Sequence, residues 1–168
     1  VGTELLMGEI VNTDAQIIAR GLNEHGFNVY WQTVVGDNPQ RLREAVEIAK
    51  RRADVLVTTG GLGPTMDDLT KETVAAVFGR PLEMDPVQLA RLKERMGPAM
   101  TPNNEKQAML PRGCTVLVND WGTAPGCAFE QDGCHVIMLP GLPRECAPMF
   151  RERALPYLET LCGGVIGS

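Results

Sequence analysis

No C-x-x-C pair occurs in this sequence, histidine is limited to His25 and His135, and the five cysteines (Cys114, Cys127, Cys134, Cys146, Cys162) are odd in number. These absences argue against a structural zinc site and make reduced, mostly buried thiols the expected state. No run of about 18 apolar residues is present, so no segment is expected to span a membrane. No signal peptide is visible, and a cytoplasmic location is the expectation. Lys and Arg together number 16 against 21 Asp and Glu, for a formal charge of −5. The nearest basic cluster, Lys50-Arg51-Arg52, closes a predicted helix whose C-terminal dipole it would complement. Neutralising a nucleic-acid backbone needs clustered cations, so direct nucleic-acid binding is not expected. Internal repeats, linkers and low-complexity segments are also missing. The chain opens on Val1, already inside Gly2-Thr3-Glu4-Leu5-Leu6, which implies further residues upstream.

What is present reads as one globular domain. The 168 residues are 43% hydrophobic and 22% charged, ordinary values for a soluble domain with a substantial core. Residues 1–162 are expected to form that domain, with 163–168 as a tail. Asn12-Thr13-Asp14 offers a cap for a helix carrying Ala15, Ile18, Ala19 and Leu22, ended by Gly26. Phe27 to Val35 reads as a strand, and Asp37 as the cap of a second helix with Leu42, Ala45, Val46 and Ala49 on one stripe. Val55 to Thr59 reads as a strand buried on both faces. A third helix carries Leu69, Val74, Val77 and Phe78 and stops at Gly79 and Pro81. Pro86 to Arg95 reads as a helix, and Asn103 to Leu110 as a shorter one. Cys127 to Glu130 and Cys134 to Leu139 flank the turn Gln131-Asp132-Gly133 and predict an antiparallel hairpin. A final helix is predicted from Arg144 to Leu161, with Pro156 as a kink. The strand–helix alternation predicts an α/β fold, a mainly parallel sheet flanked by helices.

Chemistry concentrates where Val55-Leu56-Val57-Thr58-Thr59 feeds Gly60-Gly61-Leu62-Gly63-Pro64-Thr65-Met66-Asp67-Asp68. Glycines bring bare backbone amides to a ligand, and the carboxyl end of a strand is where open α/β sheets bind one. Amides at a helix start suit phosphate, and carboxylates beside phosphate point to a divalent metal ion. Asp67 and Asp68 also fit helix-capping positions, a role that accounts for one of them. Two further loops flank the predicted hairpin, Gly122-Thr123-Ala124-Pro125-Gly126 and Pro140-Gly141-Leu142-Pro143. Each alone is an ordinary turn; convergence of all three makes a binding site. No Lys follows the glycines, so the loop is not a P-loop, and Met66 stands where the dinucleotide fingerprint needs its third glycine. Trp121 would stack on a flat ring or cover the hairpin, and both histidines read as surface or packing residues.

With these motifs assembled, the chain resembles the N-terminal domain of the CinA (competence/damage-inducible protein A) family. That domain has the molybdopterin-binding fold, shared with molybdopterin adenylyltransferases. The resemblance rests on Gly2 to Thr13, Val35-Gly36-Asp37-Asn38, Thr59 to Thr70, Thr101-Pro102-Asn103-Asn104-Glu105-Lys106-Gln107-Ala108, Gly122 to Gly126 and Leu139 to Glu145, in family order. It implies a three-layer sandwich and a ligand site centred on Asp68. In the CinA branch it implies metal-dependent hydrolysis of the ADP-ribose pyrophosphate, giving AMP and ribose 5-phosphate. Longer members carry a deamidase activity on a separate C-terminal domain, and that activity is not expected of residues 1–168. The chain departs from the family pattern at Met66, often Lys, at Asp120-Trp121 and at Leu142, and lacks the strand expected before Gly2.

The leading expectation is therefore an ADP-ribose or nucleotide-sugar pyrophosphatase. Asp68 with Asp67 or Glu4 would hold a divalent cation, and Asp68 and Asp67 would be catalytic. Gly60, Gly61 and Gly63 would present amides to phosphate, with Thr65 and Thr70 adding hydroxyls. Gly122, Thr123, Ala124, Pro125 and Gly126, with Pro140, Gly141 and Pro143, would shape the nucleoside pocket. The alternatives are a molybdopterin-binding or adenylyl-transferring domain and a non-catalytic nucleotide-sensing module linked to competence. A homo-oligomeric assembly is expected in each case.

Overall fold

The computed structural model describes residues 9–29, 31–33, 35 and 38–162. The elements begin with helices α1 (Glu9–Glu24) and α2 (Pro39–Arg52), strand β1 (Val55–Thr59), helix α3 (Thr70–Val77), strand β2 (Leu82–Met84) and helix α4 (Pro86–Met96). A 3-10 segment (Pro102–Ala108) leads into strands β3 (Met109–Pro111), β4 (Thr115–Leu117), β5 (Gly126–Gln131) and β6 (Cys134–Leu139). Helix α5 (Pro143–Met149), a π segment (Phe150–Ala154) and helix α6 (Leu155–Cys162) complete the described chain.

The main sheet has the order β1-β6-β5-β4. β1 pairs parallel with β6, Val55 against His135 through Thr59 against Leu139, and the other two pairings are antiparallel. The hairpin between β5 and β6 turns on Asp132 and Gly133, both at positive φ (54° and 79°), as a type I′ turn requires. Alternation along β5 and β6 divides the core in two. Cys127, Phe129, Val136 and Met138 face Leu42 and Val46 of α2 and Val74 and Phe78 from α3. Ala128, Ile137 and Leu139 face Ile18 and Leu22 of α1 and Met149, Phe150 and Leu158 of the last helices. The result is the expected helix–sheet–helix sandwich. A second, two-stranded antiparallel sheet joins β2 to β3 and is too short to be legible as a pattern.

Several local expectations are corrected. Helix α1 already includes Glu9, so Asn12-Thr13-Asp14 lies inside it and Asp14 is buried rather than capping. Gly26, at φ 88°, does end that helix. The cap of α2 is Asn38, whose Oδ1 accepts the Arg41 N–H at 3.1 Å; Asp37 lies outside the described residues. No strand is formed by the described residues between Phe27 and Val35. β1 ends the described sheet, and its Val55, Leu56 and Val57 are half-buried rather than enclosed on both faces. The segment after Asn103 is 3-10 and then extended, because Lys71 takes the carbonyls of Lys106 (2.9 Å) and Gln107 (3.4 Å). The last helix is interrupted by a π segment, where the Leu155 N–H reaches back to Phe150 O. Pro156 has no N–H for an i→i+4 bond, and the ladder shifts register just before it.

Candidate functional site

The glycine loop leaves the end of β1 and is held shut by its own residues. Gly60 and Gly61 both adopt positive φ (86° and 75°), a conformation that glycine reaches without steric cost. A Cβ on Gly61 would sit 1.9 Å from Thr70 Oγ1, so the turn also needs a bare backbone to pack on the start of α3. Asp68 Oδ2 accepts the Thr65 N–H at 2.9 Å and the Thr65 hydroxyl at 2.7 Å, and the Asp68 N–H returns to Thr65 O at 3.1 Å. Asp68 Oδ1 has no hydrogen bond among the described residues. Asp68 is half-buried, while Asp67 and Met66 are exposed.

A cation from elsewhere in the chain completes this corner. Lys106 donates to Thr65 O at 2.7 Å and to Asp68 O, and its Nζ lies 3.7 Å from Glu72 Oε1. The Thr-Pro-Asn-Asn-Glu-Lys-Gln-Ala element is thereby latched onto the glycine loop. Its Thr101–Asn104 turn is fixed by two bonds to Asn104 Oδ1, at 2.8 and 2.9 Å. Buried Lys71 supports it from behind, and burial pushes that ammonium below its ordinary pKa.

The three predicted loops are joined by hydrogen bonds. The Gly60 N–H donates to Leu139 O at 2.9 Å, tying the first loop to the residue before Pro140. Gln107 Nε2 donates to Thr123 Oγ1 at 2.9 Å, tying the latch to the Gly122 loop. Asn119 Nδ2 donates to Ala124 O at 2.8 Å and to Glu145 Oε1 at 2.9 Å, linking the second and third loops. Gly122 is required there, since a Cβ would fall 1.6 Å from Glu145 Oε1. Gln107 Oε1 and Glu72 Oε2 are buried acceptors with no partner among the described residues.

Not every expected role survives. The Gly60 amide is committed to Leu139 O and is not free for phosphate. Thr70 is buried against Gly61, so its hydroxyl faces the loop packing rather than solvent. Gly126 lies in β5, where a Cβ would meet Met138 O at 2.6 Å, and Pro143 opens α5; both are placed for the fold. Ala124 and Pro140 are buried, whereas Gly63, Thr65, Thr123 and Gly141 remain at least partly accessible. Glu4 lies outside the described residues. Among the described residues no group of three His, Cys, Asp or Glu is placed to hold a metal. Asp68 and exposed Asp67 still fit the one or two carboxylates that a hard cation shares with substrate phosphates. The basic cluster is occupied structurally, with Lys50 3.4 Å from Asp132 and the Arg52 guanidinium 4.1 Å over the Trp31 ring. His25 bonds Gly21 O and Glu159, and His135 packs edge-on to Tyr157.

Lys106, Gln107, Asn119 and Glu145 are the residues that loop chemistry alone misses. Three of them stand inside motifs that carried the family resemblance.

Comparison with known proteins bears on the family and the fold. The model of the family described as probable molybdopterin binding domain matches residues 1–160. A crystal structure of the protein CinA from Thermoplasma acidophilum superposes with a TM-score of 0.84 at 38% identity, covering 92% of each chain. The chain therefore belongs to the molybdopterin-binding-domain family and, within it, to the CinA branch. A CinA-like protein of Dictyoglomus turgidum is 50% identical over 171 residues, covering all of this chain but only 42% of that relative's length. The Mog protein of molybdopterin biosynthesis from Mycobacterium ulcerans shares the fold, with a TM-score of 0.56 at 20% identity over 95% of this chain and 94% of that one. No helix among the described residues is long and apolar enough to cross a membrane.

Proposed function

We propose that the loop from Gly60 to Asp68 binds a phosphorylated small molecule of the pterin or nucleotide class, and that molybdopterin binding or adenylyl transfer is its first role. The observation that carries this reading is the glycine loop closed by Asp68 on Thr65 and clamped by Lys106. It lies inside the region matched by the molybdopterin-binding family. The Gly61 and Gly63 amides are suited to phosphate oxygens, whereas the Thr65 hydroxyl already gives its proton to Asp68; Lys106 supplies positive charge beneath the loop. The Gly122–Pro125 and Pro140–Gly141 turns shape the wall for the remainder of the ligand.

A second reading is hydrolysis of an ADP-ribose-type pyrophosphate. It is favoured by exposed Asp67 standing next to Asp68, whose Oδ1 is unengaged among the described residues. A divalent cation, when bound by these carboxylates, would neutralise phosphate charge and activate water. Calorimetry with molybdopterin and with ADP-ribose, on wild type and Asp68→Asn, separates the readings. Binding of molybdopterin with no turnover of ADP-ribose at any divalent metal supports the first. Metal-dependent turnover lost in Asp68→Asn supports the second. Equal behaviour of wild type and Asp68→Asn in both assays would overturn the role given to Asp68.

A further inference from the structure

Helix α4 and the Gly122 turn flank an open cleft of about 400 Å³, in the size range of small-molecule sites. One wall is the turn, with Gly122, Thr123 and Pro125. The other is one face of α4, where Gln88, Arg91 and Arg95 recur at helical spacing. Gln88 and Asn119 in its lining are only 7% and 5% exposed, so buried polar groups contribute to it.

The two arginines have different situations. Arg91 is held by Asp120 Oδ1 at 3.0 Å. Asp120 Oδ2 also accepts from Arg153 at 2.8 Å, and the Arg153 guanidinium lies 5.6 Å from the Trp121 ring centroid. Asp120 and Trp121, the pair that departs from the family pattern, thus brace α4 against the last helices beside the cleft. Arg95 has no ion pair or hydrogen bond among the described residues. Its place in the last turn of α4 would suit the helix dipole, but Lys93 serves that end too and does not line the cleft. Asp120 balances Arg91, which leaves Arg95 as the lining cation without a partner among the described residues. A guanidinium fork matches phosphate oxygens.

We propose that this cleft is a phosphate subsite, with Arg95 as the contacting cation and Arg91 held beside it by Asp120. It rests on the reading that the ligand is a phosphorylated small molecule, but on residues separate from Asp68. The test is calorimetry of the chain, without divalent metal, using inorganic pyrophosphate, AMP and adenosine. Arg95→Gln is expected to weaken pyrophosphate and AMP roughly tenfold, the scale of one charge-assisted hydrogen bond, and to leave adenosine unchanged. Arg95→Lys keeps the charge and is expected to retain most of the affinity. Arg95 is exposed, so neither change should move the thermal melt.

Equal affinities for both phosphorylated probes in wild type and Arg95→Gln would overturn the subsite. If Asp68→Asn weakens them meanwhile, the site at Asp68 stands without it. Loss in Arg95→Gln with none in Asp68→Asn supports the subsite and counts against the role of Asp68. Failure of wild type to bind either phosphorylated probe would overturn the subsite and leave the site at Asp68 to the molybdopterin and metal-dependent assays.

Discussion

Asp68 and Thr65 close the ligand loop between them: one carboxylate oxygen, Oδ2, accepts both the Thr65 N–H at 2.9 Å and the Thr65 hydroxyl at 2.7 Å. The carboxylate is aimed by a residue three positions earlier, without help from a distant partner. Thr65→Val keeps the β-branched shape and the backbone bond and removes only the hydroxyl. Thr65 is exposed, so the expected stability loss is within about 1 kcal/mol. Affinity for a phosphorylated ligand is expected to fall several-fold, because Asp68 loses half of what orients it. Calorimetry with AMP beside a thermal melt reads the two effects separately, and unchanged affinity would mean that the hydroxyl does not set the carboxylate.

Gly61 and Gly79 make a matched pair for testing how tightly this loop is built. Both have positive φ (75° and 69°), but a Cβ on Gly79 meets nothing within 4 Å, while one on Gly61 would lie 1.9 Å from Thr70 Oγ1. Gly79→Ala should cost about 1–2 kcal/mol, from the left-handed backbone alone. Gly61→Ala adds overpacking worth about 1–3 kcal/mol. Denaturant unfolding of the two variants should show Gly61→Ala as clearly the less stable. Equal losses would mean that α3 shifts freely away from the loop.

Much of this was legible locally, and the reasons for the rest are physical. Asp132-Gly133 announced the β5–β6 hairpin because Asp-Gly favours the positive φ angles of a type I′ turn, and Pro86 announced α4. The Gly60 loop, the Gly122 turn and the Pro140 turn were each visible as turn chemistry. The connections among them were not. Lys106 reaches Thr65 and Asp68 across about forty residues, and Asn119 reaches Glu145 across 26. No periodicity records such a pairing. Asp14 misled because Asn-Thr-Asp is favourable cap chemistry and burial of an Asp inside a helix leaves no local mark. Asn38 and Asp37 are equally good caps one residue apart, and the chain uses Asn38. The segment from Asn103 read as a helix since nothing nearby revealed that Lys71 would take its carbonyls.

Lys106→Met tests the latch. The change strips the donor from the carbonyls of Thr65 and Asp68 and leaves Glu72 without its cation. Thr65 O is exposed and Asp68 O part-buried, so water replaces part of what is lost and the expected cost is about 0.5–1.5 kcal/mol. Hydrogen exchange should show protection falling first at Gly60–Asp68, with the β5–β6 hairpin changing only as global stability does. Uniform loss across the chain would reduce Lys106 to a general stabilising contact.

Cys134 gives the protein a predictable alkaline limb. Its side chain is buried at the start of β6, and that burial, with Asp54 adding, lifts the thiol from 9.0 to about 11. Between these values the unfolded chain has released the proton and the native chain still holds it. The unfolded state then binds fewer protons, so stability falls as pH rises from about 9 through about 11, and this thiol contributes no slope below that window. Thermal melts across pH 8 to roughly 11 should show the limb, to which the buried Cys127 and Cys146 thiols, also raised by burial, contribute in the same direction, so Cys134→Ala should lessen its slope without abolishing it. The same neutral, buried thiol should resist iodoacetamide in the native protein near pH 8 and react once denaturant exposes it, read by mass spectrometry of the peptide. Rapid native labelling at Cys134 would contradict its enclosure between the sheet and α2.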